Sequence, residues 1–284
     1  MRFCLIVATI GRVELLERLF LSLSDQQHSA FRVVVVDQNG DGRLDDLVAR
    51  YGNACHIEHL KVPAVGVSAA RNVGLARLAD AELVAFPDDD CFYDPLTLAN
   101  AVAVFTARPE VGAVMGSLHL PEESRRAVGV ADGRSGAAVT RNGLLRFSNT
   151  FTLFFRRSVV QGVGDFDVCF GPGTGSPWLC GEDTDYLIRA YDLGALVVRA
   201  AQIRLYHPAV DGTGPGYAVK AFGYGRGRMR LLRKHRFPIW MQVMNLLFPL
   251  VTAIVSRPAV RRFRWYLFKG RLHEWFKGSA DAHV

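Results

Sequence analysis

The chain has 284 residues, half of them hydrophobic and 21% charged, with a formal net charge of +7. That is enough apolar chain to bury a full core, which excludes a disordered protein and sets the expectation of one large domain with an appendage. The five cysteines, Cys4, Cys55, Cys91, Cys169 and Cys180, are scattered without a C-x-x-C pair; this argues against a disulfide framework or a zinc site and fits a reducing cytoplasm.

The charge is unevenly divided. Residues 1–215 carry 20 Lys and Arg against 25 Asp and Glu, net −5, whereas 216–284 carry 14 against 2, net +12. Two domains are therefore expected, 1–215 and a basic, apolar helical extension over 216–284. A basic tail suits nucleic acid or an anionic membrane surface, and the apolar content around it decides between them.

In chain order, the opening run 1–10 is too short for a secretory signal and has no small-residue cleavage site, so 3–8 reads as a first buried strand. Residues 12–26 follow as a helix, with Leu15, Leu16, Leu19, Phe20 and Leu23 at helical spacing. A continuous apolar run, 31–36, predicts a strand buried on both faces, ended by a polar turn at 37–42. A helix over 68–78 leads into a strand over 82–86. A helix over 97–106 and a strand over 111–120 come next, and 121–142 reads as a polar, Gly-rich loop of the kind that covers a site. Strands alternating with helices predict an α/β fold with a parallel sheet, whose ligands bind at the carboxyl edge. Asp37 and Asp88 both fall at strand exits there.

Two acidic clusters carry the chemistry. Asp88, Asp89 and Asp90 follow an apolar strand, and oxygen ligands in such a place suit a hard divalent cation that keeps positions free for substrate phosphates. The plainer reading is an acidic turn before the helix at 97. Glu182, Asp183 and Asp185 open an amphipathic helix behind a Gly/Pro-rich loop, 171–178. There they complement the helix dipole, or one of them, Asp183, takes a proton from an attacking hydroxyl. His207 ends another short strand and is a candidate metal ligand.

With these residues in place, the chain resembles the inverting family 2 glycosyltransferases of the GT-A fold over about residues 3–210. Thr9-x-x-Arg12 with Ser22-Leu23-x-x-Gln26 resembles the family's opening. The strand ending at Asp37 resembles its nucleotide-binding strand, and Ala70-Arg71-Asn72-x-Gly74-Leu75 its A-R-N-x-G-L helix. Asp88-Asp89-Asp90 matches the D-x-D signature, while Gly164-x-Phe166-Asp167 and Gly181-Glu182-Asp183-x-Asp185 resemble the elements before the acceptor site. The sequence departs from the family pattern at Gln38, Asn39 and Pro87.

The resemblance implies a GT-A domain that moves a hexosyl or deoxyhexosyl group from a nucleotide-sugar donor to a glycan hydroxyl. Mn2+ or Mg2+ would be held by Asp90, with His207 as a further ligand. Asp37 would contact the donor base and Asp88 the ribose; Thr9, Arg12, Arg71, Asn72 and Asp89 complete the donor site. Asp183 would be the catalytic base of a single in-line displacement, and Trp178, Glu182 and Asp185 would contact the acceptor. A sugar nucleotidyltransferase is the rival enzyme reading, but residues 8–12 hold a single glycine where that chemistry asks for a Gly-rich phosphate loop. An inactive scaffold with a basic tail for nucleic acid or membrane is the non-enzymatic one.

Residues 237–255 contain no charged side chain and two prolines, Pro238 and Pro249, between basic flanks at 226–236 and 257–271. Nineteen residues just reach the length of a spanning helix, yet a single span would leave one basic cluster outside, against the positive-inside tendency. The expectation is an interfacial segment at the inner face of the cytoplasmic membrane, with Trp240, Trp265, Tyr266 and Trp275 as anchors. The alternative is a helix packed on the catalytic domain. An uncharged run inside the cationic tail disfavours nucleic acid as partner. A membrane seat suits a lipid-carried acceptor, for instance a polyprenyl-diphosphate-linked glycan in surface polysaccharide assembly.

Overall fold

The computed structural model describes residues 1–120, 136–147, 149–208 and 216–280. The chain divides into two compact units, one of Met1–Phe166 with Tyr186–Ala209 and the other of Asp167–Asp185 with Val210–Val284. The sequence reading draws one boundary at 215; the second unit defined by contacts also takes in Asp167–Asp185.

The first unit is built on two strands, β1 (Phe3–Thr9) and β2 (Phe31–Asp37), whose residues are almost all buried. They pair in parallel, with Thr9 opposite Asp37. Between them runs α1 (Val13–Ser24), which turns Leu16, Leu19, Phe20 and Leu23 into the core. The helix α2 (Asp45–Cys55) and strand β3 (Ile57–Lys61) then extend the sheet. Neither was foreseen: β3 is an edge strand whose Glu58, His59 and Lys61 break any apolar run, and its residues are only partly buried.

Next comes α3 (Val67–Leu75), shorter than expected. A Cβ at Gly74 would run into the side chain of Ile6 on β1, so glycine is what lets α3 lie close against the sheet. The strand β4 (Leu83–Ala85) leads to the three consecutive carboxylates, and β5 (Phe92–Tyr93) follows them at once. After α4 (Thr97–Ala107) and β6 (Val111–His119), most of the expected covering loop, 121–135, lies outside the described residues. Its far end is helical, since Arg141 and Asn142 open α5 (Arg141–Phe147). The chain continues through β7 (Leu153–Arg156), α6 (Arg157–Val163), α7 (Glu182–Asp192) and β8 (Leu196–Tyr206). At eleven residues β8 is a long strand, where the sequence suggested a short one.

The sheet has eight strands in the order β3-β2-β1-β4-β7-β6-β8-β5. β7 runs antiparallel to both β4 and β6, and β8 runs parallel to β6. The two reversals return β6 and β8 to the direction of β4, so the ends of β1, β2, β4 and β8 open on the same edge. The sheet is therefore mixed rather than all parallel.

The second unit contains α8 (Tyr217–Lys234), α9 (Ile239–Ile254) and α10 (Pro258–Ala280). Gly225 of α8 and Gly270 of α10 mark their contact: a Cβ at either would strike the other helix's backbone, at Leu267 O and Phe222 O respectively. The closeness is reinforced by a largely buried ion pair, Arg226 Nε to Glu274 Oε2 at 2.9 Å. The uncharged run 237–255 yields only the 16 residues of α9, with Pro249 inside it. At 1.5 Å per residue that is about 24 Å, short of a hydrocarbon core about 30 Å thick. No described helix is long and apolar enough to cross a membrane, and the spanning option for this segment is set aside.

Candidate active site

The carboxyl edge of the first unit gathers the expected donor-site residues. The pairing that assembles them is β5 with the end of β8, Phe92 opposite Tyr206. Because β5 starts directly after the acidic turn, this two-residue strand draws His207 back to the carboxylates. Ligand atoms of Asp88, Asp90 and His207 lie within 4.8 Å of one another, and His207 Nε2 is 3.1 Å from Asp90 Oδ1.

Arg12, just after β1, reaches the same turn, with Nη1 2.8 Å from Asp89 Oδ1 and 2.5 Å from Asp90 Oδ2. Thr9 Oγ1 donates to Asp89 Oδ2 at 2.8 Å. Asp89 is thus the buried, inward member of the three, and burial raises its pKa despite Arg12 and Thr9. Burial acts on Asp90 in the same sense, but the hydrogen bond and charge of His207, with the charge of Arg12, outweigh it and hold its carboxyl below the ordinary value. Reciprocally, burial works to lower His207 while its bond to Asp90 overrides that and raises it. The turn is a place that asks for positive charge.

Two carboxylates and an imidazole form a donor set that fits Mn2+, or Mg2+ with less use of the nitrogen. Their ligand atoms are close enough for one ion to replace the Asp90–His207 contact, leaving coordination positions for a diphosphate.

Arg71 on α3 is nearly fully buried and donates from Nη2 to Asp88 Oδ1 at 2.7 Å. Its guanidinium lies over the ring of Phe166, 5.4 Å from the centroid. Phe166 in turn packs on Phe86, the residue two before Asp88, with centroids 5.0 Å apart. An aromatic floor thereby supports the acidic turn from below. Asn72 faces elsewhere: its amide gives Nδ2 to Phe166 O at 3.0 Å and accepts Phe166 N at 2.7 Å on Oδ1. Both ends of that amide brace the Gly164-x-Phe166 turn.

Asp37 is fully buried at the end of β2. Its Oδ1 accepts from Asn39 N and Nδ2 at 2.8 and 2.7 Å, and Oδ2 lies 2.9 Å from His59 Nε2. Gln38 and Asn39, where the sequence departs from the family pattern, are put to structural use. Gln38 Oε1 accepts the backbone N–H of Val65 and Gly66, both at 3.0 Å, and Asn39 Oδ1 accepts Gly11 N at 2.8 Å. His59 was missed because β3 was missed; only recognition of that edge strand would have placed it beside Asp37.

In the second unit, Glu182 and Asp183 open α7, with Asp183 half-buried. Trp178 lies under Arg230, whose guanidinium is 4.8 Å from the ring centroid, and its indole Nε1 is buried without a hydrogen-bond partner among the described residues. Asp185 is different. It is fully buried and held by Lys234 Nζ at 2.5 Å and His235 Nε2 at 2.9 Å, while Lys234 also meets Asp167 Oδ2 at 2.7 Å. A carboxylate so enclosed braces the loop against α8. Nothing in the sequence pattern of α8 singled out Lys234 or His235.

The mixed sheet, with the acidic turn at its strand exits and helices on its faces, has the GT-A fold. The chain belongs to glycosyl transferase family 2, whose model matches residues 4–163. Among solved structures it is similar to S. aureus TarS 1-349 in complex with UDP-GlcNAc, at 19% identity and a TM-score of 0.64, over 96% of this chain and 93% of that one. It is also similar to the mannosyltransferase PcManGT of Pyrobaculum calidifontis in complex with GDP-Man and Mn2+, at 18% identity and a TM-score of 0.69, over 97% and 87%. No curated protein matches the chain.

Proposed function

We propose that the protein is a metal-dependent, inverting transferase that moves a hexosyl or deoxyhexosyl group from a nucleotide-sugar to a hydroxyl of a lipid-linked glycan during surface polysaccharide assembly. The observation that carries the metal dependence is the convergence of Asp88, Asp90 and His207 at the sheet's carboxyl edge. A nucleoside diphosphate donor needs its charge neutralised as it leaves, and this is where the chain offers ligands. Neighbours of the same fold bind such donors: TarS with UDP-GlcNAc and PcManGT with GDP-Man and Mn2+.

A divalent ion held by Asp90 and His207 would supply electrostatic stabilisation of the departing diphosphate. Asp37 and Asp88 are assigned to the nucleoside. Arg12 and Arg71 add positive charge around the acidic turn, and Thr9 fixes Asp89. Asp183 is assigned as general base. It takes the proton from the acceptor hydroxyl as that oxygen bonds to the anomeric carbon, the bond to the phosphate oxygen breaks, and the leaving diphosphate keeps the electron pair. One displacement inverts the anomeric centre. The buried indole N–H of Trp178, without a partner among the described residues, offers a hydrogen bond to an acceptor oxygen. Glu182 is assigned beside it.

The lipid-linked acceptor and a seat at the inner face of the cytoplasmic membrane are supported by the cationic second unit. The test is a panel of nucleotide-sugars with Mn2+, Mg2+ or a chelator, with and without membrane lipid extract. Nucleotide release with one donor, abolished by chelation and raised by lipid, is expected. Turnover indifferent to chelation would remove the metal, and turnover indifferent to lipid would remove the lipid-linked acceptor.

A further inference from the structure

The second unit leaves one face of α9 open. Trp240, Met244, Leu247, Phe248, Val251 and Ile254 are each between 45% and 76% exposed, and their spacing of three and four places them on a single side of the helix. The opposite side carries Met241, Gln242, Leu246 and Pro249, which are buried, and α9 packs on α8 and α10. A contiguous stripe of large apolar side chains of this kind is unusual on a protein surface and marks an interaction face.

Its surroundings say what occupies it. Residues 217–273 hold thirteen Lys and Arg and no Asp or Glu. Arg236, just before α9, and Arg257 and Arg262, just after it, are exposed. A second copy of this face would bring these like charges together, whereas anionic phosphates around hydrocarbon match both its chemistry and its sign. Trp265 of α10, exposed and stacked on Phe268, is of the type that settles at headgroup depth.

We propose that α9 lies in the plane of an anionic lipid leaflet, with the stripe from Trp240 to Ile254 below the headgroups and Arg236, Arg257 and Arg262 against lipid phosphates. This rests on the reading that the enzyme works at a membrane, and adds which surface meets it and which lipid charge it requires.

The experiment is flotation of the full chain with vesicles of phosphatidylcholine alone or of equimolar phosphatidylcholine and phosphatidylglycerol. The variants are Phe248→Glu/Val251→Asp and Arg257→Glu/Arg262→Glu, all outside the catalytic residues. Sedimentation is run in parallel. Wild type should float with the anionic vesicles and lose this in high salt, and each variant should bind at least about tenfold less while keeping its thermal melt and donor hydrolysis. Wild type that floats together with an unimpaired Phe248→Glu/Val251→Asp variant would leave the membrane seat standing but overturn α9 as its face. Wild type that never floats sinks both. Self-association in wild type that the Phe248→Glu/Val251→Asp variant abolishes would assign the face to a second copy and overturn the proposal.

Discussion

His207 Nε2 stands 3.1 Å from Asp90 Oδ1, although the two residues lie far apart in the sequence. The contact exists because β5 follows the acidic turn directly and zips onto the end of β8. It holds together the two groups assigned to the divalent ion, so removing either should weaken metal binding. His207→Ala is expected to lower Mn2+ affinity by about tenfold or more, and Asp90→Ala to abolish metal-dependent nucleotide binding. Calorimetric titration with Mn2+, then with nucleoside diphosphate, checks both; undiminished Mn2+ affinity in Asp90→Ala would contradict the assignment.

The same pair gives the chelated protein a pH signature. His207 is raised above its ordinary value of 6.5 by Asp90, so its contribution to stability is fully present below 6.5 and is lost as pH rises through the raised value. Asp90 is lowered from 3.8, so its contribution is present above 3.8 and lost as pH falls through the lowered value. In thermal melts with chelator, wild type should exceed His207→Gln most between those limits, and the gap should close on the alkaline side. A gap that widens with rising pH would refute the ion pair.

The α/β class and the carboxyl-edge location were legible because β1, β2 and α1 carry unambiguous apolar patterns. Asp88 and Asp90 followed from their place behind β4. What stayed hidden was non-local: β5 is two residues long and β7 four, too short for any periodicity, yet they create the reversals that aim His207. Asn72 and Asp185 match family motifs in the sequence, but their spacing could not reveal that their side chains are already occupied by Phe166 and by Lys234 with His235.

Lys234 is a residue whose importance came only from the structure. It bridges Asp167 and the fully buried Asp185, clamping the loop that carries Trp178 and leads to Asp183. Lys234→Met should destabilise the protein by about 3 kcal/mol, since it strands part of a buried charge. It should also cut kcat while leaving donor KM unchanged. Urea melts and initial rates test the two halves; a variant as stable as wild type would show that Asp185 does not depend on Lys234.

Helix packing in the second unit gives a steric prediction. Gly225→Ala and Gly270→Ala each put a methyl group into the facing helix's backbone, and backbone cannot turn aside as a side chain does. Each should cost about 1–3 kcal/mol. Gly52→Ala on α2, where a Cβ meets nothing within 4 Å, is the control and should be neutral or slightly stabilising on a differential scanning trace. Equal melts for all three would mean that α8 and α10 pack more loosely than described.

The assignment of the base is tested most directly by charge without change of shape. Asp183→Asn keeps the volume of the side chain and the opening of α7, and removes the proton acceptor. A positioned general base contributes about 10²–10⁴-fold, so transfer should fall by that factor. Donor affinity, which is assigned to the acidic turn after β4, should stay within about twofold. The readouts are kcat for glycosyl transfer and calorimetric affinity for the nucleoside diphosphate with Mn2+. A nucleophilic anion should restore part of the rate in Asp183→Asn, because an acceptor that is already deprotonated, or a small anion replacing it, needs no base. Loss of donor affinity together with activity, without such rescue, would make Asp183 a structural residue, and wild-type turnover would move the search for the base to Glu182.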